Sequence, residues 1–250
     1  MTFIIVCPLC FLAGLVDAIG GGGGLISLPA LLLAGLPPHA ALATNKLNSC
    51  IGTTVSTARY LKNGFVDWPL ALPSAGLAIV GSALGAKLVL LVSGAVIHYV
   101  LIGALPVIAF FVLRKKDMEV SPQEQAAVSR RRQALVVLSG ALIIGGYDGF
   151  YGPGCGTFML LLFTQLGKMD VRKAAGNVKV ANLSSNLGSL LVFLLNREAI
   201  IPLGLAAGGF CLVGHYIGSG LVIHNGGKIV RPIVLVVLGL LFIKVITDMF

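Results

Sequence analysis

Charge is what this sequence has least of. Only 11% of its 250 residues are charged, and 9 acids stand against 18 lysines and arginines. Soluble domains average about 25% charged residues, so a soluble globular fold is excluded from the start. Metal chemistry has no foothold either, because His39, His98, His215 and His224 show no ligand spacing. Cys7 and Cys10 form a C-x-x-C without the soluble βαβ context that a redox motif needs. With Cys50 and Cys211 they read as buried reduced thiols, and Cys155 differs only in lying inside a glycine-rich stretch. The opening Met-Thr-Phe-Ile-Ile-Val lacks a positive n-region and a small-residue cleavage pattern, so it reads as the start of a membrane segment and not as a signal peptide. An embedded enzyme would need a nucleophile–base pair or a metal cluster, and the sequence offers neither. No cofactor is expected.

What is abundant is apolar. Hydrophobic residues make up 57% of the chain and the mean hydropathy is +0.98, which is the composition of a protein built into the lipid bilayer. The net charge of +9 does not point to nucleic acid. Arg114, Lys115, Lys116, Arg130, Arg131 and Arg132 crowd one short polar loop, and most other bases flank apolar runs. That is a topology signal and not a nucleic-acid stripe. Apolar runs cover 2–19, 24–34, 41–61, 69–92 and 96–113, then 133–150, 155–166, 174–195, 200–223 and 233–250. A full crossing takes roughly 20 residues. Runs 24–34 and 155–166 are too short to cross alone. Each therefore joins the run before it as a Gly-broken helix or re-entrant hairpin, with its irregular backbone buried or lining a cavity.

The breaks are duplicated. Asp17 precedes the five glycines Gly20 to Gly24, and Asp148 precedes Gly152, Gly154 and Gly156, 131 positions later. At an offset of 133, Lys46 meets Lys179, Ser56 meets Ser189, and Gly76, Gly81 and Gly85 meet Gly209, Gly214 and Gly218. The expected fold is all-α and polytopic, with two repeats, 1–113 and 133–250, joined by a cytoplasmic linker, 114–132. In each repeat three transmembrane helices follow the broken element. With the linker in the cytoplasm, an inverted second repeat also places Arg59, Lys62, Lys168, Arg172, Lys173, Lys228 and Arg231 on or near that side, leaving only Arg197 misplaced. A parallel repeat would export five of them. Broken helices at matching places in two inverted halves mark the substrate site of a secondary transporter.

Lys46, Ser49, Thr53 and Ser56 share one helix face, as do Lys179, Asn182, Asn186 and Ser189. An ionisable residue inside an apolar segment is costly unless it has a partner or water, and it marks function by default. Its alternative, snorkelling from a helix end, suits Lys87 and Lys244, which have no counterpart in the other half. Backbone amides at the starts of the two short helices would add donors. The candidate substrate site comprises Gly21, Gly22, Gly23, Gly24, Asn45, Lys46, Asn48 and Ser49 in the first half. In the second it comprises Gly152, Gly154, Cys155, Gly156, Asn177, Lys179, Asn182 and Asn186. These suit a small oxyanion. Asp17 and Asp148 are proton carriers, ion partners of the lysines or helix-end structural acids. Gly76, Gly81 and Gly85 are expected to let helices pack closely.

With Gly14-Leu-Val-Asp-Ala-Ile followed by five glycines and Leu25-Ile-Ser-Leu-Pro, then Ala43-Thr-Asn-Lys and a degenerate second copy, the chain resembles the sulfite exporter TauE/SafE family. The resemblance spans both halves. It implies a multi-pass permease of the bacterial inner membrane that moves sulfite, sulfonates or related small anionic sulfur compounds, mostly outward. The second copy departs from the first: Pro153 and Cys155 stand in place of glycines, and Asn177-Val-Lys179 replaces Thr44-Asn-Lys46. A passive anion channel using the same amides and lysines is the alternative.

Overall fold

The structure, a computed structural model, describes residues 2–93 and 120–226 together with 228–230, 232, 233, 235, 236 and 239. The expected run 96–113, residues 114–119 of the linker and most of the run 233–250 lie outside the described residues. Among the described residues the fold is helical and has no strand. The helices are α1 (Thr2–Gly20), α2 (Gly24–Leu33), α3 (Pro38–Lys62) and α4 (Trp68–Leu91). After the short α5 (Pro122–Ala126) come α6 (Arg130–Phe150), α7 (Cys155–Gln165), α8 (Val171–Leu195) and α9 (Ile201–Asn225). Helices α1, α4, α6, α8 and α9 are long and apolar enough to cross a membrane. At 25 residues α3 is equally long. It falls short in apolarity because one whole face carries Asn, Lys, Ser and Thr.

Part of the linker is helical. Ser121 accepts from the Glu124 amide while Glu124 accepts from the Ser121 amide, a capping box that starts α5. Ser129 caps α6, so that helix begins at Arg130, inside the stretch expected to be loop.

The packing is reciprocal. The first half's α4 lies along the second half's α6, and α9 lies along α1; α3 packs on α9, α8 packs on α4, and α3 and α8 face one another between them. Small residues permit the two outer contacts. An added Cβ at Gly81 or Gly85 would sit 2.3 or 2.1 Å from the Leu142 or Gly146 carbonyl oxygen of α6. At Gly214 or Gly218 it would sit 2.2 or 2.5 Å from the Phe11 or Leu15 carbonyl oxygen of α1. The same expectation for Gly76 is corrected. Gly76 is exposed, and among the described residues nothing lies within 4 Å of a would-be Cβ, because it lies on a face of α4 turned away from α6 and α8.

Both expected breaks interrupt the helices. Gly21 and Gly22 (φ 76° and 86°) separate α1 from α2, and Gly152 and Gly154 (φ 100° and 83°) separate α6 from α7. These are left-handed conformations that side chains with a Cβ avoid. The two breaks also touch. A Cβ on Gly21 would lie 2.2 Å from the Thr157 nitrogen and 2.3 Å from the Gly156 carbonyl carbon, and Thr157 Oγ1 donates to the Gly20 carbonyl at 2.8 Å.

Candidate functional site

Each glycine break delivers the acid just before it to the centre of the molecule, and there the halves cross. Lys46 of α3 pairs with Asp148 of α6 at 2.8 Å, and Lys179 of α8 pairs with Asp17 of α1 at 2.7 Å. Both lysines are 2% exposed, so neither snorkels to a helix end. The two acids are therefore ion partners of the lysines, one of the three roles open from sequence. Burying an ammonium beside a carboxylate is tolerable only when further hydrogen bonds satisfy both, and they do. Lys46 also donates to Asn186 Oδ1 at 3.2 Å, and Asp148 Oδ2 accepts from Ser185 Oγ at 2.5 Å. Lys179 donates a second bond to the Asp17 carbonyl at 2.5 Å, and Asp17 Oδ1 accepts from the Gly23 amide at 3.1 Å.

Between the breaks lies a cavity of about 20 Å³, room for about one water. Its wall takes Asp17, Gly22, Gly24, Asn45, Lys46 and Ser49 from the first half, and Asp148, Gly152, Gly154, Cys155, Asn182 and Asn186 from the second. Twelve residues from both repeats thus converge on one space, nearly all of them picked out by the duplication. Lys179 stands behind Asp17 and does not line the wall. Asn48 braces the wall from behind, donating to Asn45 Oδ1 at 3.2 Å. Gly21 and Gly156 belong to the contact between the breaks, and the Gly23 amide is spent on Asp17. Asn177 stands apart, its amide donating to the Lys173 carbonyl of its own helix at 2.7 Å.

Three contributors were not singled out from sequence. Ser185 follows Asn182 by three positions on the α8 face, a legible signal. Ser27 of α2 donates to Asn45 Oδ1 at 2.6 Å and so orients that amide. His215 of α9, 1% exposed, places Nε2 3.6 Å from Asp17 Oδ2 and has Nδ1 2.9 Å from Ser56 Oγ. Its first-half counterpart is Ser82, so no repeated histidine flagged it. Among the described residues, no group of three or more His, Cys, Asp or Glu side chains could hold a metal.

Buried, crossed ion pairs at a small polar cavity between interrupted helices are what the interior of a polytopic membrane transporter presents. The chain belongs to the sulfite exporter TauE/SafE family, whose model matches residues 6–245. It is similar to the "Probable membrane transporter protein ORF9" of a Sinorhizobium species, at 36% identity over 95% of this chain and 90% of that protein. The YfcA protein of Escherichia coli K12, with the same description, is 35% identical over 96% of this chain and 88% of its own length. A Haemophilus influenzae protein, again so described, is 31% identical over 95% and 92%. This is a family of membrane transporters and not of enzymes. No solved structure matches the chain.

Proposed function

We propose that this transporter carries a small sulfur oxyanion, such as sulfite or an organosulfonate, outward across the inner membrane by alternating access around the central cavity. The observation that carries this reading is the crossed pair of buried lysines, each held by a carboxylate from the opposite break. A carboxylate and a sulfur oxyanion present the same face to an ammonium: planar or pyramidal oxygens sharing negative charge. Asp17 and Asp148 thus fill, in this conformer, the place that a substrate oxygen would take. Asn45, Ser49, Asn182 and Asn186 supply neutral donors that can replace the anion's hydration shell. Thr53, one turn beyond Ser49, is buried with its hydroxyl unpartnered among the described residues, a further spare donor. The cavity is smaller than any oxyanion, so binding requires the breaks to part, which favours a carrier over an open channel.

Inverted repeats 1–113 and 133–250 about the cytoplasmic linker 114–132 complete the proposal. Polar contacts gather at one end of the bundle: Arg130 with Asp67, Lys168 with Glu124, Gln133 with the Gly167 carbonyl, and Arg172 with the His224 carbonyl. That end carries the bases of the cytoplasmic face. The opposite end, where His39 meets the Val89 carbonyl and the Ile200 amide meets Thr44, is poor in them.

The test is a binding screen of purified protein against sulfite, thiosulfate, sulfate, taurine and sulfoacetate. At least one should bind, Lys46→Gln should weaken it more than tenfold, and Lys87→Gln, at an exposed position on α4, should leave it unchanged. No binding, or equal effects at both lysines, would return the site to a structural role. Saturable counterflow in proteoliposomes separates carrier from channel.

A further inference from the structure

The two acids are equivalent in sequence, but their surroundings are not. Asp148 is held by the Ser185 hydroxyl. The position matching Ser185 in the first half, at the offset of 133, is Gly52, and the position matching Ser82 is His215. The exchange is sterically matched. A Cβ on Gly52 would meet His215 Cδ2 at 2.4 Å and Cys211 Sγ at 2.6 Å, so glycine there is what admits the imidazole beside Asp17. One half thus holds its acid with a hydroxyl, which does not titrate. The other sets a histidine 3.6 Å from it, the side chain whose charge changes between pH 5 and 8 when unperturbed.

We propose that His215 is the proton-accepting residue of transport, and that Asp17 with Lys179 forms the coupled half of the site while Asp148 with Lys46 forms a fixed half. This rests on the transporter reading above. The geometry around His215 is complete enough to follow the charge. From α1 it faces Asp17; from α3 it faces Ser56 and Gly52; Lys179 of α8 approaches the same Asp17 oxygen, Oδ2, at 2.7 Å, while Oδ1 accepts from the Gly23 amide; Cys211 is its neighbour on α9. With two lysines charged, two acids charged and the imidazole neutral, the centre carries no net charge. Lys179 already neutralises Asp17, and a second buried cation there would lack a partner.

An arriving anion changes this balance. When Lys179 turns from Asp17 to the anion, the carboxylate loses its cation, and a protonated His215, 3.6 Å away, can take that place. The proton comes from solvent through the cavity that Asp17 lines and ends on Nε2, with Nδ1–H donating to Ser56 Oγ. One proton enters with each anion, so a monoanionic sulfonate leaves the loaded centre neutral and a dianion such as thiosulfate leaves it with a single negative charge. Anion binding and proton uptake are then linked: each raises the affinity for the other. His215 acts through Asp17 and does not touch the substrate.

Two measurements test this. The first needs no substrate. In Lys179→Gln protein the Asp17 carboxylate has lost its ammonium, so histidine-edited NMR should find His215 as imidazolium at neutral pH, whereas wild type shows the neutral ring. A neutral ring in both proteins overturns the proposal. The second uses thiosulfate, which does not titrate near neutrality, with calorimetry in buffers of different ionisation heat. Wild type should take up about one proton per thiosulfate bound, and both His215→Asn and the triple variant Gly52→Ser/Cys211→Ala/His215→Ser should bind with uptake lost. The triple variant copies Ser185, Ala78 and Ser82, the residues at the matching positions of the other half, which guards against simple misfolding. Unchanged uptake in either variant overturns the proposal. Failure of wild type to bind thiosulfate or any screened anion counts against the transport reading, while the NMR comparison still decides the role of His215.

Discussion

Two kinds of ion pair occur in this molecule at nearly the same distance. At the centre, Lys46–Asp148 and Lys179–Asp17 close at 2.8 and 2.7 Å; at the polar end, Lys168–Glu124 and Arg130–Asp67 close at 2.7 and 2.6 Å. Distance does not tell them apart, and surroundings do. The central side chains are 2–3% exposed apart from Asp17 at 17%, whereas Arg130 is 57% exposed and Glu124 48%. A pair in water exchanges one set of solvent contacts for another of similar worth. A pair in the core leaves an uncompensated charge if either member goes, so it is kept only where the charges are needed.

The comparison can be broken by single substitutions. Asp148→Asn should cost the most, about 3–5 kcal/mol, since it leaves Lys46 without an anion. Thermal melting in detergent should show it, with Lys46→Gln/Asp148→Asn recovering much of the loss. Should the double variant fall as far as the sum of the singles, the pair is not a coupled unit. Asp17→Asn should cost less, because Lys179 keeps the Asp17 backbone carbonyl as acceptor and the site is more open to water. Gly81→Ala and Gly214→Ala should each destabilise by about 1–3 kcal/mol through overpacking against a neighbouring backbone, while Gly76→Ala, with open space around it, should be neutral or better. Equal losses at all three would refute the reciprocal packing. Arg130→Gln should shift stability by no more than about 1 kcal/mol.

The smallest effect belongs to Glu124 and is best seen through pH. The hydrogen bond from Lys168, helped by the Ser121 amide, holds this carboxyl below the ordinary carboxylate range. Its contribution is therefore fully present above the unfolded value of about 4.5 and fades as pH falls through the lower folded value. Comparing the melting of wild type and Glu124→Gln from pH 7 downward should show a small difference that closes in acid. A difference that instead widens in acid would mean the sign is wrong.

Duplication made the centre legible. Lys46, Lys179, Asp17, Asp148 and both glycine breaks stood out because each occurs twice at matching places, and one copy checks the other. What repetition does not encode is which half each partner comes from. That Lys46 meets Asp148 and not Asp17 is a consequence of α3 and α8 facing each other, a tertiary fact. His215 was hidden for the opposite reason: its counterpart is a serine, so the repeat argued nothing for it. The glycines were read as a ready cradle of amides, yet the Gly23 amide is occupied by Asp17, and Gly21 is there for the close approach of Gly156 and Thr157.

That close approach has a mechanical meaning. Where Gly21 meets Gly156, the two broken elements touch backbone to backbone, with no Cβ of their own between them. Larger side chains at such a junction would interlock and fix one packing, because cores are jigsaws that resist sliding. A bare peptide surface has no rotamers to jam, and the single bond from Thr157 to the Gly20 carbonyl is its one tether among the described hydrogen bonds. It can serve as a bearing. Under the alternating access proposed above, tilting about it would lift one side of the cavity wall as it lowers the other, so that a single fulcrum would keep the two sides from opening together.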